Sequence, residues 1–283
     1  MNKELRDKLL ALRHIALDMD GTIYMENNIF PFTLDFLAKL TRMGITYSFL
    51  TNNPTKSLDD YLAKLARMGI KAEREQMYST VPATIDYIKT HLPKVKRLFL
   101  LGTPSMISQF EEAGFEEAGF ESTADSAEDV PDAVVVAFDT TLVYSRLCRA
   151  AWWVSQGLPY LATNPDKVCP TDQPTILVDC GSLCKCIEYA TGRHPDVTIG
   201  KPDPAMLAGI EGRYGLKPSQ IAMVGDRIYT DVEMAYNAGA FGVLVLSGET
   251  TLEVAKAWPH APSLICRDIE ELGCLLEEAH GLC

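Results

Sequence analysis

Residues 14–22 read His14-Ile15-Ala16-Leu17-Asp18-Met19-Asp20-Gly21-Thr22, a short strand-like run that ends abruptly in two carboxylates and a glycine. The run is too brief for a helix and reads as a buried strand, and the Asp-Gly pair marks the turn that closes it. Asp18 and Asp20 stand two apart at the end of a strand, so both start out on the same side. In an open parallel sheet the carboxyl ends of the strands line one crevice, where ligands bind. This stretch therefore predicts a sheet edge with acids at its mouth.

Working outward, the same grammar recurs. Thr46 to Leu50 reads as a strand ending in Thr51-Asn52-Asn53-Pro54, with Asn53 as a helix N-cap and Pro54 as the first helical position. The helix that follows places Leu58, Tyr61, Leu62, Leu65 and Met68 on one face and stops near Gly69. Another helix is expected from Pro82 to about Thr90. Val197 to Ile199 ends in Gly200-Lys201-Pro202, and a helix from near Pro204 buries Met206, Leu207, Ile210 and Tyr214. Ile221 to Val224 ends in Gly225-Asp226-Arg227, and Phe241 to Leu246 is a further strand. Strands alternating with helices argue for an α/β fold, a Rossmann-like parallel sheet covered by helices.

Between these parts, residues 94–185 look like a unit of their own, with strands at Arg97 to Leu101, Ala133 to Phe138 and Tyr160 to Thr163. No low-complexity linker sets it off. The expected organisation is a core from 1–93 and 186–283 with an α/β insertion at 94–185. Glu111 to Phe120 reads EEAGFEEAGF, a tandem duplication whose period of five does not match a helix; it reads as a helix end and turn.

Composition excludes several classes. The chain has 283 residues, 47% hydrophobic and 23% charged, as in an ordinary soluble globular protein. Its net charge of −12 lacks the electrostatic footprint of a nucleic-acid or anionic-membrane binder. No apolar run approaches the roughly 20 residues that span a bilayer. Lys3, Arg6, Lys8 and Arg13 alternate with acids and precede no apolar core, which is not a secretory signal, so the expected location is cytoplasmic. Eight cysteines in a chain of this size do not make a disulfide framework. Cys180, Cys184 and Cys186 fit neither zinc nor iron–sulfur spacing and read as reduced, partly buried thiols around a helix start. Trp152 and Trp153 read as core packing or a dimer surface, not as ligand-stacking residues.

Four polar groups thus stand at strand ends: Asp18 with Asp20, Thr51 with Asn52, Lys201, and Asp226. Two carboxylates held close raise the pKa of one of them, and a hard divalent cation relieves the repulsion. Few carboxylates plus several waters is the usual Mg²⁺ arrangement, and Asp226 adds a donor. Lys201 contributes a compact positive charge, Thr51 and Asn52 neutral donors. Together these describe phosphoryl transfer. Asp18 can attack phosphorus in line, and Asp20 can protonate the leaving oxygen and then activate water. The second role requires a raised pKa at Asp20, which Mg²⁺ and Lys201 oppose.

The same residues carry a family resemblance. Asp18-Met19-Asp20-Gly21-Thr22 resembles the DxDGT motif of haloacid dehalogenase-like hydrolases, Thr51 their second motif and Lys201 in Gly-Lys-Pro their third. Gly225-Asp226-Arg227 through Thr230-Asp231 resembles the fourth, GDRxxTD. The resemblance implies Asp18 as nucleophile and Asp20 as general acid/base. It implies Mg²⁺ on the Asp18 side chain, the Asp20 backbone carbonyl and the Asp226 side chain, with Thr51 and Lys201 on the phosphate and Asp231 as an orienting acid behind them. It also implies that the insertion is a class II cap of subtype A, closing over the site to exclude bulk water. Ala162-Thr163-Asn164-Pro165-Asp166 looks like a motif of the NagD-type, or p-nitrophenyl phosphatase, branch, which makes Asn164 and Asp166 the candidates for a substrate-facing cap loop. That branch hydrolyses small phosphomonoesters, including nucleotide, sugar, glycerol and pyridoxal phosphates, and favours a homodimer through the cap. The expected activity is a Mg²⁺-dependent phosphatase with a small-molecule phosphate ester as its partner. The rivals are a phosphotransferase to an alcohol and a catalytically silent phospholigand-binding regulator.

Overall fold

The His14–Asp18 strand lies inside a six-stranded sheet, between Ile221–Gly225 on one side and Thr46–Thr51 on the other. Phe241–Val245 and Leu264–Cys266 continue the sheet beyond Ile221–Gly225, and Met77–Ser79 closes the far side next to Thr46–Thr51. His14–Asp18 runs parallel to both of its neighbours, with Leu17 opposite Val224 and Asp18 opposite Leu50. The ends of three adjacent strands therefore fall side by side, and the chain leaves the first strand at the point where the strand order reverses. Both faces of these strands are buried, which is why their sequences are near-continuous apolar runs rather than alternating ones.

The computed structural model describes residues 1–282 apart from Lys56, 120–129, Pro170, Asp172 and Gln173. Phe120, the last residue of the tandem duplication, lies outside the described residues. Glu111 and Glu112 close the Pro104–Glu112 helix, Gly114 takes a positive φ, and Glu116–Glu117 forms a short edge strand. Among the described residues, no helix is long and apolar enough to cross a membrane.

The chain divides into two compact units, one of Met1–Thr51, Leu62–Tyr78 and Lys201–Cys283, the other of Asn52–Tyr61 and Ser79–Gly200. The second is wider than the insertion expected at 94–185, for two reasons. The Thr80–His91 helix puts Val81, Ile85 and Ile88 into one cluster with Leu98, Leu100, Val135 and Leu161. At the other end, Val197–Thr198 pairs in parallel with Tyr160–Ala162. The sheet of this unit runs Val197–Thr198, Tyr160–Ala162, Ala133–Val136, Arg97–Leu101, Glu116–Glu117, all pairs parallel. Alternate residues face opposite layers: Leu98 and Leu100 on one side, Phe99 and Leu101 with Val134, Val136 and Trp153 on the other. Trp153 is thus a core residue, whereas Trp152 on the same helix is 46% exposed. Cys180 and Cys184 are buried at the start of the Cys180–Thr191 helix, Cys186 is exposed, and none of the three is in a disulfide.

One local expectation is corrected. The helix after Thr46–Thr51 begins at Leu58, not at Pro54. The Asn53 side chain instead accepts from the Thr55 N–H at 2.9 Å, a local turn. Ser57 and Asp60 exchange bonds, with the Asp60 N–H on Ser57 Oγ and the Ser57 N–H on Asp60 Oδ2, both at 3.1 Å. This reciprocal cap satisfies two orphan donors where Asn53 would satisfy one.

At the amino end of the sheet, His14 is fully buried between the hydroxyls of the neighbouring strand, Nδ1 to Thr46 Oγ1 and Nε2 to Ser48 Oγ at 2.8 Å each. Thr46 Oγ1 donates to the Arg13 carbonyl, so Nδ1 carries the proton and Nε2 accepts. Burial lowers the imidazole pKa to about 4. An unfolded histidine takes up its proton below about pH 6.5, the folded one only near 4, so stability falls as pH drops through that window. Urea denaturation is expected to show a loss of about 2 kcal/mol between pH 7 and pH 5 from this group. His14→Gln should flatten that part of the profile; an unchanged slope rejects the assignment.

Candidate active site

Asp18 closes the central strand, and the next residues wrap into a turn in which the Gly21 N–H donates to the Tyr24 carbonyl at 2.8 Å. Gly21 is required there. Its φ is +83°, and a β-carbon would come within 2.5 Å of Asp226 Oδ2. Asp226 follows the Ile221–Gly225 strand directly, and Asp231 lies on the single π-helical turn Ile228–Val232 behind it. One oxygen each from Asp18, Asp226 and Asp231 lie within 4.8 Å of one another.

Lys201 is buried against two of these acids. Its ammonium forms a short contact with Asp18 Oδ1 and lies 2.7 Å from Asp231 Oδ1. Burial works against the charged amine, but Asp18 and Asp231 outweigh it and hold its pKa above the usual lysine range. Asp231 Oδ2 accepts from the Arg227 N–H at 3.0 Å, so both of its oxygens are engaged. Burial first, then Asp18, lifts Asp231 to about 6 against the pull of Lys201. Asp226 is pushed up to about 8 by burial and by the charges of Asp18 and Asp231. Its Oδ2 accepts from the Glu249 N–H at 2.7 Å, while Oδ1 is buried with no hydrogen-bond partner.

This donor set fits a divalent cation. Three carboxyl groups share one ammonium, their mutual repulsion lifts Asp226 and Asp231, and a cation beside the orphaned Asp226 oxygen would relieve both the repulsion and the desolvation of that atom. The geometry is oxygen-only, as hard cations prefer.

Asp20 is set apart from that cluster. Its Oδ1 accepts from the Glu26 N–H at 3.1 Å, and its pKa is raised, chiefly by burial, with Lys64 opposing and Asp18 adding to the rise. Among the protein's own groups, desolvation outweighs the pull of Lys64 and Arg227. Lys64, which the strand-end pattern missed because it lies within a helix, is buried with its ammonium 3.7 Å from the centre of the Tyr24 ring. The Ser247–Thr250 loop was missed too, although it follows the Phe241–Val245 strand just as the other site residues follow theirs. Thr51 ends its strand and is buried.

Asn52, Asn164 and Asp166 belong to the second unit. Asn164 is fully buried, and its amide donates to Asp166 Oδ2 at 3.2 Å and to Asp179 Oδ1 at 3.0 Å. Asn52 donates to the same Asp166 oxygen at 3.1 Å. The expected substrate-facing pair is therefore committed to an internal network, because a buried carboxylate recruits every amide within reach. That network ties residue 52 to residues 164–179 and leaves neither side chain of the pair turned to solvent.

Comparison with known proteins follows the same lines. A family model described as haloacid dehalogenase-like hydrolase matches residues 15–116, and a second, HAD-hydrolase-like, matches 198–272. An acid sugar phosphatase of Staphylococcus aureus is 30% identical over 262 residues, 93% of this chain and 97% of that protein. The crystal structure of a 4-nitrophenylphosphatase from Thermotoga maritima superposes with a TM-score of 0.86 at 36% identity, covering 94% of this chain and 98% of that one. A protein described as a putative NagD protein gives 0.83 at 35% identity, covering 93% and 98%.

The raised acids make the metal-free site a source of instability. An aspartate lifted to about 8 favours its protonated form in the fold, so its contribution is lost as pH rises from about 4 towards 8. Asp226→Asn is expected to raise metal-free stability at pH 7, by as much as about 4 kcal/mol, and to abolish any further stabilisation by a divalent cation. Thermal melts of both proteins in EDTA and in Mg²⁺ test this; a destabilised, Mg²⁺-responsive variant rejects it.

Proposed function

Within the haloacid dehalogenase-like hydrolases, to which this chain belongs as a NagD-type phosphatase, we propose that it hydrolyses small phosphomonoesters, sugar phosphates first among them, with Mg²⁺ and through an aspartyl-phosphate on Asp18. The observation that carries the reading is the buried cluster of Asp18, Asp226 and Asp231, in which Lys201 pairs with Asp18 and Asp231 and Asp226 keeps one oxygen unpartnered. The names of the relatives supply the substrate class: an acid sugar phosphatase and a 4-nitrophenylphosphatase both act on small esters. Nucleotide, glycerol and pyridoxal phosphates are the other members of the panel.

The proposed chemistry follows from where each group stands. Thr51, Asn52 and Lys201 hold the phosphate, Lys201 as a permanently charged amine. Asp18 attacks phosphorus opposite the ester oxygen, and as that bond breaks Asp20 delivers its proton to the departing alcohol. Asp20, now a carboxylate, takes a proton from water, and the resulting hydroxide displaces Asp18 to release phosphate. Its raised pKa is what suits it to the first of these roles. The Asp18 side chain, the Asp20 carbonyl and the Asp226 side chain would hold Mg²⁺, which would supply charge stabilisation for the phosphoryl group. Asp231 positions Lys201 by taking its ammonium on one oxygen and the Arg227 amide on the other.

The second unit is read as the cap, and a homodimer through it is part of the reading. Tyr144, Trp152 and Tyr189, exposed on its two packed helices, supply apolar surface for that contact. The seven described cysteines are all free thiols, which supports a reducing, cytoplasmic compartment.

The deciding assay is release of p-nitrophenol from its phosphate in Mg²⁺ or in EDTA. Wild type should turn over only with Mg²⁺. Asp18→Asn should lose at least about 10³-fold in kcat, and Asp20→Asn about 10²-fold or more with KM little changed. Lys201→Ala should cost far more than alanine at Lys217 or Lys256. Turnover that survives Asp18→Asn would exclude the covalent route, phosphate appearing on added alcohol would identify a phosphotransferase, and no turnover across the metabolite panel would leave the silent binder.

A further inference from the structure

Asp226 is gripped by a loop that carries none of the proposed chemistry. Ser247-Gly248-Glu249-Thr250 follows the Phe241–Val245 strand and bonds to the segments after two other strands. The Glu249 N–H donates to Asp226 Oδ2 at 2.7 Å and the Thr250 N–H to the Asp226 carbonyl at 3.2 Å. Thr250 Oγ1 accepts from the Ile228 N–H at 3.1 Å, and Ser247 Oγ donates to the Gly21 carbonyl at 2.6 Å. Gly248 packs so closely that a β-carbon there would overlap the Asp226 carboxylate. Gly21 presses on the same carboxylate from the turn after the first strand. Two glycines from separate loops thus let backbone approach that carboxylate more closely than any other residue would allow.

We propose that Ser247–Thr250 is a positioning clasp that presents Asp226 to the cation through one oxygen only. The backbone amide of Glu249 occupies Oδ2, so that Oδ1 is the atom left to a ligand. Ser247 sets the spacing between Asp226 and the turn after Asp20 by holding the carbonyl of the Gly21–Thr22 peptide. The inference rests on the cation site of the proposed function and adds to it residues that touch neither cation nor substrate. A plainer role for the loop would be the negative charge of Glu249 attracting the cation. The side chain argues against it: Glu249 pairs with Arg227 Nε at 2.9 Å and accepts from the Tyr229 hydroxyl at 2.7 Å, while its amide alone contacts Asp226.

The test titrates Mg²⁺ into EDTA-stripped full-length protein and reads the midpoint of the thermal shift. Gly248→Ala, which displaces the amide from Asp226, should weaken Mg²⁺ at least about tenfold, the size expected when a ligand loses its orienting partner. Ser247→Ala, a milder change that keeps the fold should Gly248→Ala not, is expected to weaken it about threefold with the metal-free melting temperature unmoved. Glu249→Gln keeps the amide and should bind within about twofold of wild type. Wild-type midpoints in Gly248→Ala and Ser247→Ala would overturn the clasp while leaving the cation site standing, and so would a loss in Glu249→Gln equal to that in Gly248→Ala. A wild type with no Mg²⁺ response would overturn the cation site itself, and the clasp with it.

Discussion

Three carboxyl groups crowd together at the carboxyl edge of a parallel sheet, two of them paired with one buried ammonium, and the sheet holds them there. Left to themselves, Asp18, Asp226 and Asp231 would separate or neutralise. The fold instead sets them on adjacent strand ends and keeps water away, and two of them respond by moving to about 8 and about 6. Lys201 offsets part of the repulsion by pairing with Asp18 and Asp231. What it leaves uncompensated is repulsion that a divalent cation would relieve. Stability and function are thus opposed at Asp226, as expected where a site is preorganised for charge it does not yet hold.

Preorganisation here is largely a backbone affair. Gly21 and Gly248 allow two loops to approach one carboxylate, and the amides of Arg227 and Glu249 aim Asp231 and Asp226. Backbone donors lose no side-chain entropy when they form such bonds, and their direction is inherited from the strands that precede them. The rigid sheet therefore determines the orientation of groups that lie on loops.

The second unit uses polar burial differently. Asn52 and Asn164 both donate to Asp166, and Asn164 also donates to Asp179, in one buried network. Such networks specify one arrangement of the segments they join, since opening them would leave buried charge unpaired. Asn52 follows Thr51 directly, and its side chain is held by Asp166 within the second unit.

Much of this was legible in the chain before any coordinates. Short apolar runs ending in Asp18, Thr51 and Asp226 declare a parallel sheet, because a strand buried on both faces needs an unbroken apolar run and turns sharply where that run stops. The Arg97–Leu101 strand was readable to the residue for the same reason. Other features depended on competition between distant groups. Whether a helix starts at Pro54 or Leu58 turned on a cap exchanged by Ser57 and Asp60, and the side on which Thr80–His91 packs turned on which sheet its apolar face reached. The raised pKa of Asp20 is a matter of burial, which no local pattern encodes, and Asn164 and Asp166 were drawn inward by Asp179 and Asn52. Sequence determined which chemistry was available at the strand ends, because strand ends are local. Tertiary structure decided which groups are charged, oriented or spent on one another, because desolvation and hydrogen-bond partnership belong to the packed whole.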